Sequence, residues 1–87
     1  MDIVSSSGFP RQFKKLLKNE QEEFWNRLGL LEKDARHPLL ADHKLHGAWT
    51  GYRSINISGD KRLVYKKLSS ETWYMVAIGT HHQLFGT

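Results

Sequence analysis

The chain has 87 residues and a mass of 10.1 kDa, which leaves room for one small domain spanning 1–87 and for no second core. Hydrophobic residues at 39% and charged residues at 25% exclude intrinsic disorder. No apolar run approaches the ~18 residues of a membrane span and no signal-peptide core is visible, so a soluble, cytoplasmic chain without membrane contact is expected. The absence of cysteine excludes disulfides, a thiol nucleophile and cysteine-based zinc sites, and thirteen Lys and Arg against nine Asp and Glu leave a net charge of +4. That charge suits nucleic acid or an acidic protein partner.

Asp2-Ile3-Val4 predicts a short first strand, ended by Ser5-Ser6-Ser7-Gly8. Phe9, Phe13, Leu16 and Leu17 then recur at helical spacing, with Ser7 as N-cap and Pro10 in the first turn. A second helix is predicted from Asn19, with Glu22 as its capping-box partner. Phe24, Leu28 and Leu31 form its buried stripe, widened by Trp25, and Gly29 marks a place where it bends or ends. His37-Pro38 closes the helical half, because a residue before proline is pushed out of the α region.

From Trp49 the period changes. The segments Trp49 to Ile57, Lys61 to Leu68 and Thr72 to Thr80 are rich in β-branched and aromatic residues, and hairpin-length turns separate them. They predict a three-stranded antiparallel meander, extended by the first strand. The expected fold class is α+β, with two N-terminal helices on a small, mainly antiparallel sheet of three to five strands. The unbroken apolar run Trp73 to Ile78 predicts a central strand covered on both faces.

His43, His46, His81 and His82 raise the question of metal, but the adjacent pair would point to opposite faces of a strand and no HExxH is present. Neither metal nor cofactor is expected. Metal-free RNA cleavage is the alternative, since RNA carries its own 2′-OH nucleophile. It requires a group to take that proton, another to protonate the departing 5′-oxygen, and cations to stabilise the phosphorane-like charge. Histidine can serve in either proton-transfer role, whereas arginine is better suited to charge stabilisation. His43, His46, Arg53, Asp60, Arg62 and His81 all fall in the strand half, where strand ends and turns can converge; spacing alone favours solvated loop and edge residues as their explanation. Lys61, Arg62, Lys66 and Lys67 beside Tyr65 and Trp73 resemble an RNA track, with edge protection by lysine as the competing explanation for Lys66 and Lys67. Phe85, in the tail Gln83-Leu84-Phe85-Gly86-Thr87, either folds back onto the core or faces a ligand.

Three segments carry a resemblance. Asp42 to Arg53 reads D-H-x-L-x-G-x-W-x-G-x-R, Asp60 to Tyr65 reads D-x-R-L-V-Y, and Ile78 to Gly86 reads I-G-T-H-x-x-L-F-G. In this order and separation they resemble the RelE/ParE superfamily of bacterial toxins, most closely its YafQ-like mRNA interferase branch. The resemblance implies a ribosome-dependent endoribonuclease that cuts translated mRNA in the ribosomal A site, against rRNA, and that a cognate antitoxin wraps and blocks. By position it assigns catalytic character to His43, Asp60, Arg62, His81 and Phe85; the expected RNA contacts are Arg53 as a second cation, Asn56 as a hydrogen-bonding side chain, and Lys61 and Lys66 of the basic strand. His81 is then the general acid, His43, or Asp60 through it, assists removal of the 2′-OH proton, and Arg62 steadies the phosphate. Two positions depart from the branch: Asn56 stands where a further histidine is frequent, and Ala77 where a basic residue is frequent. Asparagine cannot exchange a proton near neutral pH. A catalytically weak toxin-like module that binds ribosome or antitoxin, and a ParE-like gyrase inhibitor, are the remaining readings. The catalytic reading requires His43, Arg62 and His81 to meet in one concavity.

Overall fold

The computed structural model describes residues 1–86; Thr87, the last residue of the polar tail, lies outside them. In chain order the elements are β1 (Asp2–Ser5), α1 (Phe9–Lys14), α2 (Lys18–Lys33), a 3-10 turn (Pro38–Leu40), β2 (His43–Lys44), a second 3-10 turn (Gly47–Trp49), β3 (Arg53–Ser58), β4 (Lys61–Lys67), β5 (Thr72–Thr80) and α3 (His81–Phe85). The sheet order is β1-β5-β4-β3-β2, with β1 parallel to β5 and every other pair antiparallel. This is the expected α+β class, helices on a mainly antiparallel sheet. No helix among the described residues is long and apolar enough to cross a membrane.

Helices α1 and α2 cover one sheet face. Phe24, Leu28 and Leu31 of α2 meet Ile55, Ile57, Leu63, Tyr65, Trp73, Met75 and Ile78 of the strands in a single buried cluster. Each fully buried aliphatic side chain there contributes roughly 1.5–3 kcal/mol. Trp25 is the outlier of the predicted stripe: it is 56% exposed, its ring edge-on to Phe24 at 4.9 Å.

Local starts and stops differ from the sequence expectation in instructive ways. The N-cap of α1 is Gly8 rather than Ser7 and makes no side-chain cap; the preceding Ser6 instead donates its hydroxyl to the carbonyl of Val76 at 2.6 Å. Helix α2 starts at Lys18, and the side chain that returns to its N-terminus is Glu20, not Glu22. Glu20 Oε1 accepts from the Leu17 N–H at 2.9 Å while its other oxygen holds Lys61 Nζ at 3.2 Å. Gly29 does not end the helix, which runs on to Lys33. The first long strand begins at Arg53 instead of Trp49, because the Gly47–Trp49 turn and Gly51, at φ 96°, break the extended chain before it.

The last strand is interior as expected, between β1 and β4, but its unbroken apolar run has a different cause. Val64 pairs with Ala77 but Tyr65 with Met75, so Val76 is an extra residue, a β-bulge. Trp73 and Met75 before it, and Ile78 after it, all face the helices. The apolar run is thus two alternating half-strands out of phase. Edge protection does not explain Lys66 and Lys67 either, since β4 is the middle strand. Lys66 Nζ lies 5.5 Å from the Tyr52 ring centroid and Lys67 Nζ lies 5.1 Å from that of Trp73, each cation over an aromatic ring.

Candidate active site

The second sheet face carries no helical layer of its own. Strand alternation puts Ser54, Val64 and Ala77 in one row there, and Asn56, Arg62 and Gly79 in the next. The segment 41–44 borders this face and is held down by Asp42. Its carboxylate, 8% exposed, accepts from Arg53 Nε at 3.1 Å and from the Tyr65 hydroxyl at 3.0 Å. Burial pushes the Tyr65 hydroxyl well above the usual phenol range, reinforced by the Asp42 charge, so it stays a neutral donor. Burial opposes the charge on Arg53, but the Asp42 hydrogen bond and charge outweigh it and raise the guanidinium above its usual value. The D…R spacing of the first motif is therefore an ion pair.

Directly beside this anchor the chain turns sharply. Ala41 takes a left-handed conformation, φ 45° and ψ 44°, the only non-glycine residue with positive φ among the described residues. Its carbonyl receives two groups of opposite origin: Arg62 Nη2 from β4 at 3.2 Å and His43 Nδ1 from β2 at 2.9 Å. Arg62 Nε donates to Ser54 Oγ at 2.7 Å. Burial lowers the Arg62 guanidinium from its usual value, partly countered by Asp42; arginine nonetheless stays charged. The His43 tautomer follows from these contacts. A carbonyl only accepts, so Nδ1 must carry the proton to bond Ala41, whereas Arg62 Nη2, 3.5 Å from the same nitrogen, would need it bare. The shorter contact decides, and Nε2 is left with the free lone pair.

His81 and His82 open α3 instead of continuing β5. Thr80 Oγ1 accepts from the Gln83 N–H at 3.0 Å, and Gln83 Oε1 accepts from the Thr80 N–H at 2.8 Å. This reciprocal cap fixes the first turn, and four residues along the helix the Phe85 ring sits 4.9 Å from that of His81. Phe85 also meets Trp49 edge-on at 6.2 Å. His43, Leu45, Arg62, His81 and Phe85 together line one open cleft of about 290 Å³.

The structure brings together four of the nine residues singled out from sequence. Asp60 is exposed in the β3–β4 turn and does not line the cleft. Arg53 faces the helix side of the sheet, engaged by Asp42. Lys61 is drawn to Glu20, and Lys66 lies over Tyr52. The Asn56 side-chain amide, turned so that its nitrogen faces the turn, donates to Gly59 O at 3.2 Å and Lys61 O at 3.3 Å. Sequence reasoning missed Ala41, Leu45 and Ser54, and missed the role of Asp42. No sequence signal singles out Ser54, because β3 alternates polar Ser54, Asn56 and Ser58 with apolar Ile55 and Ile57 and so reads as an ordinary solvated face. No group of three His, Asp or Glu side chains placed to hold a metal ion occurs among the described residues.

The family described as the bacterial toxin of type II toxin-antitoxin system, YafQ, matches residues 1–86. The mRNA interferase toxin YafQ of Escherichia coli (strain K12) is 42% identical over 45 residues, 52% of this chain and 48% of that protein, so the alignment spans about half the length of this curated relative. The crystal structure of a YafQ mutant from E. coli superposes with a TM-score of 0.80 at 28% identity, covering 98% of each chain. YafQ in the E. coli DinJ-YafQ complex superposes with a TM-score of 0.78 at 29% identity, again over 98% of each chain. With the family match running through residue 86, the chain belongs to the YafQ family of bacterial toxins of type II toxin-antitoxin systems.

Proposed function

We propose that this chain is a ribosome-dependent endoribonuclease that cleaves translated mRNA and is neutralised by a cognate antitoxin. The observation that carries the reading is the shared cleft of His43, Arg62, His81 and Phe85. These residues are distant in sequence and arrive from β2, β4 and α3. The relative named as an mRNA interferase and the E. coli complex with DinJ support the activity and the partner class.

The chemistry is written for one phosphodiester. His43 Nε2 accepts the proton of the 2′-OH, and the 2′-oxygen attacks phosphorus. The bond to the 5′-oxygen breaks as His81, in its protonated form, donates to that leaving oxygen. The products are a 2′,3′-cyclic phosphate and a 5′-hydroxyl. Arg62 stabilises charge on the non-bridging oxygens through N–H groups not engaged by Ser54 and Ala41. Phe85 supplies an aromatic face or wedge for a base. Asp60 is outside the cleft lining, so the base role falls to His43 alone.

Induction of the chain in growing cells should arrest growth and cut mRNA within translated frames, read by primer extension. His81→Ala and Arg62→Ala should relieve both effects, each with a loss of at least about a hundredfold in cleavage. Purified mRNA without ribosomes should stay intact. Variants as toxic as wild type would sink the assigned chemistry. Ribosome binding without cleavage would select the binding-module reading, and DNA damage with intact transcripts the gyrase reading.

A further inference from the structure

Ser54 is the one polar residue buried outright among the described residues, and the chemistry above assigns it nothing. The row it belongs to continues through Val64 and Ala77, both apolar. An alanine or valine would fill that position without demand, whereas a buried hydroxyl disfavours the fold unless it is hydrogen-bonded. Its partner is the charged Arg62 Nε–H at 2.7 Å, reached from the diagonal position on β4.

We infer that Ser54 is a positioning residue for the cleavage reaction: with the Ala41 carbonyl it fixes the rotation of the Arg62 guanidinium, so that the unengaged N–H edge is presented to the scissile phosphate. The inference rests on the mRNA-cleavage reading. Ser54 has no exposed surface and cannot touch substrate itself. Its effect passes through a planar fork. One hydrogen bond at Nε leaves the group free to swing about its stem, but a second at Nη2, 3.2 Å from Ala41 O, sets both plane and rotation. The left-handed turn at Ala41 aims that carbonyl, and the same oxygen holds His43 Nδ1 at 2.9 Å. The base and the cation are thus indexed to one backbone atom. Serine contributes an acceptor small enough to fit between sheet and guanidinium.

The test is a double-mutant cycle on ribosomes programmed with a defined mRNA, with melting temperatures recorded for every variant. Ser54→Ala should lower kcat about ten- to a hundredfold with KM little changed. In the Arg62→Ala background it should have no further effect, which a general structural role would not produce. Ser54→Cys, keeping a weak acceptor, should fall between the two and guards against poor folding of the alanine variant. In the 15N NMR spectrum the Arg62 Nε–H should exchange slowly with water in wild type and quickly in Ser54→Ala. Full activity of Ser54→Ala, or an equal loss in the Arg62→Ala background, would overturn the inference while leaving mRNA cleavage intact. If wild type cleaves no transcript but its Nε–H is protected and loses protection in Ser54→Ala, the mRNA reading fails and the orienting contact stands without a catalytic use.

Discussion

At the residue scale, two arginines with similar sequence credentials have separate fates. Both lie in the strand half, both carry full charge, and the resemblance names both. Strand parity divides them: Arg53 shares its face with Ile55 and Ile57, while Arg62 shares its face with Val64. Asp42 claims Arg53 at 3.1 Å, which converts it from a free cation into part of the anchor beneath residues 41–44. Arg53→Ala is therefore expected to reduce stability by about 1 kcal/mol, because the guanidinium is partly exposed. Its cleavage rate per folded molecule should stay close to wild type. Asp42→Ala should cost more, about 2–3 kcal/mol, since it strands both the Tyr65 hydroxyl and Arg53. Urea denaturation of the two variants checks the order, and a large activity loss in Arg53→Ala with an intact fold would show that it reaches the RNA after all. The motif letters alone could not separate these roles, because a spacing of residues does not state which face each one takes.

At the element scale, α2 shows how much of the fold is legible and where legibility stops. The periodicity of Phe24, Leu28 and Leu31 locates the helix and its buried side because the hydrophobic effect depends only on which face is apolar. Gly29 sits in an exposed position of that helix, with nothing near its absent Cβ, so its propensity cost is absorbed by the packing around it. The N-terminus is less legible, since two glutamates stand within reach of a cap and the choice falls on Glu20, which also meets Lys61, 41 positions away. That choice predicts a pH dependence. The Leu17 backbone hydrogen bond holds the Glu20 carboxylate below its usual value of 4.5, with Lys61 adding to it against the effect of burial. A carboxyl lowered in the folded state stabilises it above the unfolded value, and the contribution disappears as pH falls through the folded value. Glu20→Gln should accordingly lie about 1 kcal/mol below wild type at neutral pH. The gap in melting temperature should hold from pH 7 to 5 and close in more acid solution. A gap that widens in acid would contradict the assigned cap.

At the scale of the whole molecule, the sheet separates folding from chemistry: one face packs the core and the other gathers the cleft. The three sequence motifs belong mostly to the second task, which is why they foretold the meeting of His43, Arg62, His81 and Phe85 better than periodicity did. What no motif announced is the device that aims β5 into α3. The bulge at Val76 lets Met75 and Ile78 both face the helices, and it bends the strand that delivers His81 to the cleft. Deleting Val76 would restore simple alternation, with Trp73, Met75 and Ile78 still inward, so every core contact keeps its face. The deletion variant should therefore fold, with native-like circular dichroism and stability within about 2 kcal/mol of wild type. It should also lose most of its mRNA cleavage, because a straighter strand carries α3, and with it His81 and Phe85, away from Arg62. Retention of full cleavage would show that the bulge serves the core instead. Unfolding would show that the bend itself is needed to close α1 over the sheet, where Ser6 already bonds the Val76 carbonyl at 2.6 Å.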